Sequence, residues 1–233
     1  MRRRIGLAAL LGAMTILAGA SLAFAQAQDE ETSRQDLHWG EKPSVATWSL
    51  DGGFMLFTNK LYREVYNNKP IGFINMNASY KMVQQFELIA SIGFGTVTGH
   101  GVSPADGLPT ADKYLLDFAP AGLGLAYRFN FVLDQPVVPY IGGQGVGAYW
   151  YETRLHSGWK TRALNYGADG FAGLMFLLDN LDRHASGVMS SYWGINHAYF
   201  TYEFRYTTLN NFWQKNITDF SNQEHMFGFT LEF

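Results

Sequence analysis

The chain has 233 residues, of which 17 are basic, 20 acidic and none cysteine, for a formal net charge of −3. The absence of cysteine excludes disulfides, thiolate metal sites and cysteine nucleophiles together, and the acidic balance argues against a nucleic-acid partner. Aromatic residues make up 16% of the chain while its mean hydropathy is −0.10, a combination that fits a wall apolar on one face and polar on the other.

The first element reads as a secretory signal peptide over residues 1–25. Arg2, Arg3 and Arg4 precede an apolar run over 5–20, and Ala23-Phe24-Ala25 supplies a small-x-small cleavage site before Gln26. A transmembrane anchor fits less well, because the run is short and ends in a processing site instead of a basic stop-transfer flank. Removal of the three arginines would leave 14 basic against 20 acidic residues, a net charge of −6. Residues 26–44 are polar and are expected to form a periplasmic tail with little structure.

Residues 45–233 then divide into eight strand candidates. Over 45–58, Trp48, Leu50, Phe54 and Leu56 alternate with Ser49, Asp51, Gly53 and Met55. After a polar loop over 59–70, the 71–81 stretch sets Gly72, Ile74, Met76, Ala78 and Tyr80 against Asn75, Asn77, Ser79 and Lys81. A tight turn leads into 85–98, which carries Glu87, and a Gly/Pro/Ser/Asp loop over 99–112 follows. The 113–130 strand places Leu123, Leu125, Tyr127 and Phe129 opposite Gly124, Ala126 and Arg128, with a bulge expected at Pro120.

The faces of 137–153 cannot be assigned, because Gly142, Gly143, Gly145 and Gly147 interrupt its alternation. These glycines lack the lysine and following helix of a phosphate cradle, so a bending wall is the better reading. A polar loop over 154–163 precedes strand 164–178, where Asp169 opposes Gly170, Ala172, Leu174 and Phe176. Residues 179–192 change period and read as a short helix capped by Asp179 or Asn180. Strand 195–208 is the clearest: Phe200, Tyr202, Phe204 and Tyr206 alternate with Thr201, Glu203 and Arg205. The opposite facing would put Glu203 and Arg205 into lipid, at about 2–4 kcal/mol for an arginine near the midplane. After a loop over 209–222, the 223–233 strand sets Phe227, Phe229, Leu231 and Phe233 against Met226, Gly228, Thr230 and Glu232.

The pattern predicts an all-β protein: an eight-stranded antiparallel transmembrane β-barrel with one short periplasmic helix. The last strand resembles the closing strand of bacterial outer-membrane β-barrels, whose assembly machinery reads a polar-x-Gly-x-x-apolar-x-aromatic signal. Gly228, Leu231 and Phe233 fall in that register, whereas Met226 stands where the family prefers a polar residue. The runs Leu123-Gly124-Leu125-Ala126-Tyr127-Arg128, Val138-Pro139-Tyr140-Ile141-Gly142-Gly143 and Leu177-Leu178-Asp179-Asn180-Leu181-Asp182 resemble a myxobacterial-type family of small outer-membrane barrels, related in pattern to OmpA-, OmpX- and OmpW-like proteins. The resemblance implies location in the outer membrane of a Gram-negative envelope. It also implies contact with outer-membrane lipids and lipopolysaccharide, and insertion by the barrel assembly machinery. It implies no cofactor and no catalytic residue.

Three functional classes follow. The first is a structural or interaction barrel, its lumen filled by a charge network of Asp51, Glu87, Asp169, Glu203 and Glu232 against Lys81, Arg128 and Arg205, with surface loops for an unidentified partner. The alternative is a narrow channel or small-ligand transport barrel, with volume left by the glycines of 137–153. A lipid A-modifying enzyme is the third, with His156-Ser157 as the candidate pair. Adjacent strand residues point to opposite faces and no orienting acid stands at a recognisable spacing, so the expectation is a non-enzyme without metal or cofactor.

Overall fold

The computed structural model describes residues 44–66, 69–102, 109–132, 135–212 and 218–233. The expected signal peptide and the tail up to residue 43 lie outside the described residues. In chain order the elements are β1 (Ala46–Phe57), α1 (Lys60–Val65), β2 (Ile71–Val83), β3 (Phe86–Val102), β4 (Pro109–Arg128), β5 (Val137–Arg154), β6 (Lys160–Leu177), α2 (Arg183–Trp193), β7 (His197–Thr208) and β8 (Asn222–Glu232). Each strand pairs antiparallel with its sequence neighbour, and β8 returns to β1, so the sheet is a closed barrel.

Period-2 alternation decides the two faces. Leu50, Ile74, Leu88, Leu123, Leu125, Phe200 and Phe229 are exposed on the outside, while Ser49, Asp51, Asn75, Glu87, Arg128, Thr201 and Thr230 are buried within. The strand with unassigned faces is settled by its neighbours: Val138, Gln144, Val146, Ala148 and Trp150 of β5 are buried inside, and Ile141 and Tyr149 are exposed outside.

Several local expectations differ from the structure. Pro120 makes no bulge: β3–β4 keeps one register from Ile92↔Ala121 to Gly95↔Phe118 and omits only the pairs between them. Proline removes one donor, and the strand tolerates that gap without an inserted residue. The 154–163 loop is shorter than expected, since β6 starts at Lys160. There are two helices among the described residues instead of one, because the polar 59–70 stretch contains α1. Helix α2 is capped by Asp182, whose side chain accepts from the Ala185 amide at 2.9 Å. Asp179 instead accepts from the Ala198 amide at 3.0 Å and contacts His197 Nδ1 at 2.7 Å, tying the start of β7 to the end of β6.

The strands are of unequal height. The β2–β3 ladder stops at Gly72↔Thr96 although β3 runs on to Val102, and the β6–β7 ladder stops at Ala168↔Thr208 although β6 begins at Lys160. A four-stranded sheet, β3-β4-β5-β6, therefore stands above the rim at the loop end of the barrel.

Candidate functional site: the lumen

From the turn end upward, the interior changes from ionic to apolar. The lowest network is built by inward residues of β1, β2, β3, β4 and β8. Arg128 donates from Nε to Glu87 at 2.8 Å and from a terminal nitrogen to Glu232, while Lys81 Nζ lies 2.9 Å from the other oxygen of Glu232. Ser79 donates to Glu87 at 2.9 Å, and Arg128 Nη2 donates to the Thr47 hydroxyl at 3.2 Å. Two cations face two carboxylates here, and the charged atoms are hydrogen-bonded as well as paired. Such a network can offset the several kcal/mol that each buried ion costs in desolvation.

The middle network is organised by Arg205. Its guanidinium reaches Glu203 at 2.8 Å and Asp169 at 3.5 Å and lies 5.1 Å from the Phe171 ring centre. Tyr140 donates to Glu203 at 2.9 Å, Gln144 to Asp169 at 2.7 Å, and Ser91 to Gln144 at 3.0 Å. Asp51 is held by Ser49 at 3.0 Å and Asn77 at 2.9 Å. Buried Glu224 completes the layer. Oxygens of Asp169, Thr207 and Glu224 without hydrogen-bond partners belong to side chains lining one small void beneath Phe118 and Leu209.

The eight charges singled out in the sequence thus fall into two groups. Lys81, Glu87, Arg128 and Glu232 form the first, whereas Asp51, Asp169, Glu203 and Arg205 belong to the second. Among the described residues no ion pair joins Glu203 or Arg205 to Arg128 or Glu232, as sequence alone allowed. Glu224, Gln144 and Tyr140 were missed. The signal for Glu224 was present, since it lies two residues before Met226 on the inward face of the last strand.

The middle layer carries four carboxyl groups, Asp51, Asp169, Glu203 and Glu224, around one guanidinium. Removing one of those like charges without changing shape should therefore relieve the fold. Glu224→Gln is expected to stabilise the barrel by about 1 kcal/mol. Urea unfolding in lipid or detergent checks this, and a clear loss of stability would contradict it.

Above the ionic layers the lumen is closed by a crown. Met55, Phe57, Phe73, Phe118, Trp150, Leu209 and Phe220 form one buried apolar cluster, into which α1 tucks Tyr62 and Tyr66. The Tyr66 hydroxyl donates to Glu152 at 2.8 Å. Burial, with Glu152 beside it, pushes this phenol well above its ordinary range, so it remains a donor. Asn165 pins the other side: its amide donates to the carbonyls of Thr218 at 2.6 Å and Leu209 at 3.3 Å, and its oxygen accepts from Trp150 Nε1 at 2.9 Å. Asn165→Ala leaves these buried groups without partners at about 1–3 kcal/mol. Limited proteolysis should then cut more readily within 209–212 or 218–221 while the barrel itself stays folded; an unchanged rate would show that the apolar cluster alone holds these residues.

The remaining sequence candidates lie outside the two charge networks. His156 and Ser157 are exposed in the β5–β6 turn, where the Ser157 hydroxyl accepts from the Trp159 amide at 3.4 Å. Gly228 pairs with Asp51, while Leu231 and Phe233 lie half-buried on the outer face at the β1–β8 seam.

Comparison with known proteins finds no matching family model and no matching curated protein. Among solved structures the chain is similar to Neisserial surface protein A, at 11% identity and a TM-score of 0.49 over 81% of this chain and 97% of that one. It is also similar to Ail, the attachment invasion locus protein of Yersinia pestis, at 13% identity and 0.46 over 82% and 97% of the two chains. The N-terminal β-barrel domain of Pseudomonas aeruginosa OprF matches at 11% and 0.46, over 80% and 97%. The myxobacterial-type likeness rests on the sequence runs alone. What the closed ladder establishes is a fold: the chain is an eight-stranded antiparallel β-barrel, similar to the small outer-membrane barrels, with an apolar exterior and an ionic interior.

Proposed function

We propose that the chain is an integral outer-membrane protein acting as a structural or interaction barrel, with a lumen sealed by side chains and a crown presented outside the cell. The observation that carries this reading is the succession of side-chain barriers across the interior, the Arg128 network, the Arg205 network and the crown around Phe118 and Phe220, with only small cavities between them. Eight strands leave an interior just wide enough for side chains to fill, and a closed barrel satisfies every wall backbone group without water. The exposed Leu, Ile and Phe belt supplies the lipid-facing surface. Outer-membrane lipids and lipopolysaccharide are its surroundings, and the barrel assembly machinery inserts it through Gly228, Leu231 and Phe233. The β3-β4-β5-β6 sheet and its covering loops are the surface that meets a partner.

Topology tests the reading. An epitope inserted at Gly158, in the β5–β6 turn, should bind antibody on intact cells. One inserted at Gln84, in the β2–β3 turn, should bind only after the outer membrane is permeabilised. The reverse pattern, or recovery of the protein in the soluble fraction, would overturn it.

A further inference from the structure

Helix α2 hangs from the turn end between β6 and β7, and the barrel covers little of it. Its Ala185, Val188, Met189 and Tyr192 follow i, i+3, i+4, i+7 spacing, so they share one face, with Trp193 at its edge. His184, Gly187, Ser190 and Ser191 lie on the other. In a soluble protein such a face turns to the core, yet Val188 is 40%, Tyr192 82% and Trp193 74% exposed, as is Leu181 just before the helix at 81%. The helix is firmly delimited all the same, by Asp182 at its start and by left-handed Gly194 at its end.

The neighbouring turns indicate what covers this face. At the same end of the barrel, Met82 and Val83 at the end of β2 and Phe131 and Val132 after β4 also expose apolar side chains. Exposed Phe86, Phe129 and Phe176 carry the outward apolar belt of the wall down to this same end, where the chain leaves β6 for the helix. Tyrosine and tryptophan favour the boundary between headgroups and acyl chains, where an amphipathic helix lies in the membrane plane.

We propose that α2 is an in-plane membrane anchor, seated with Val188, Tyr192 and Trp193 in the lipid headgroup boundary at the turn end of the barrel. This rests on the membrane-barrel reading above and adds a second contact with the same bilayer. The wall ends at Met82–Val83 and Phe131–Val132 then become part of the lipid surface, and the helix fixes the depth and tilt of the barrel.

The natural absence of cysteine makes the test direct. Single variants Val188→Cys, Tyr192→Cys and Ser190→Cys, with Phe229→Cys as a wall control, are labelled with an environment-sensitive fluorophore. The protein is refolded into phosphatidylcholine vesicles with or without brominated acyl chains. Labels at 188 and 192 should shift to the blue, lose quenching by aqueous iodide and gain quenching by shallow bromine, whereas the label at 190 stays open to iodide. Equal iodide access at 188, 190 and 192, with the 229 label still reading lipid, would overturn the anchor and leave the barrel reading intact. A water-exposed 229 label would instead defeat the barrel reading. Shielding at 188 that grows with protein-to-lipid ratio would assign the face to a second copy, and would also overturn the anchor.

Discussion

Arg205→Ala is expected to destabilise the barrel by about 3–5 kcal/mol, the cost of breaking a buried ion pair from one side, and to raise its conductance. Arg205 contacts both Glu203 and Asp169, and Glu224 and Asp51 stand in the same layer. The alanine variant leaves four desolvated carboxyl groups without a guanidinium and opens a gap beside Phe171. Water or counter-ions would have to enter, so loss of stability and leakage should appear together. The control is a variant that removes charge from both sides, Arg205→Leu with Glu203→Gln and Asp169→Asn. It should recover most of the lost stability, because an apolar or neutral replacement of a whole ionic cluster is often tolerated. If the single and triple variants unfold alike, packing by the arginine stem, not its charge, holds the layer.

The second large effect is expected at the seam where the barrel closes. Gly228 pairs with Asp51 across β1 and β8, and a Cβ there would lie 2.2 Å from the Leu50 carbonyl oxygen and 2.3 Å from a carboxylate oxygen of Asp51. The obstructing atom at Leu50 is backbone, so a side-chain rotation cannot make room. Gly228→Val should therefore prevent closure both in cells and during refolding into detergent, seen as loss of the heat-modifiable folded form. Phe233 separates this geometric requirement from an assembly signal. Its amide donates to Ala46 at 2.9 Å and its carbonyl accepts from Val45 at 2.7 Å, only the last bonds of a long ladder. Deleting Phe233 should block accumulation in cells while still permitting refolding in vitro. Normal accumulation of the deletion variant would remove the assembly role, and efficient refolding of Gly228→Val would remove the steric one.

How much of this was legible in the sequence depended on whether side chains marked the two faces. In β7, Glu203 and Arg205 alternate with Phe200, Tyr202 and Phe204, so one residue of slip would have put charges outside. In β5 the glycines erase that contrast, and Gln144 became a lumen residue only through its partners Asp169 and Ser91. Partner choice was hidden for another reason: the meeting of Arg128 with Glu87 and Glu232 depends on strand stagger, which no single strand encodes. The crown was hidden because Tyr62 and Tyr66 sit in a polar stretch and are buried by nearby Phe57 together with Phe220, which is far away in the chain. Asp182 stands in place of Asp179 at the helix cap because the Asp179 carboxylate is engaged by the Ala198 amide and His197.

The central claim is that the lumen is closed, and single-channel recording tests it most directly. Wild-type protein refolded and inserted into a planar lipid bilayer should pass little or no current across a wide voltage range, under the same conditions in which Arg205→Ala conducts. Steady, large conductance by the wild type would contradict the sealed interior and move a transport role to first place.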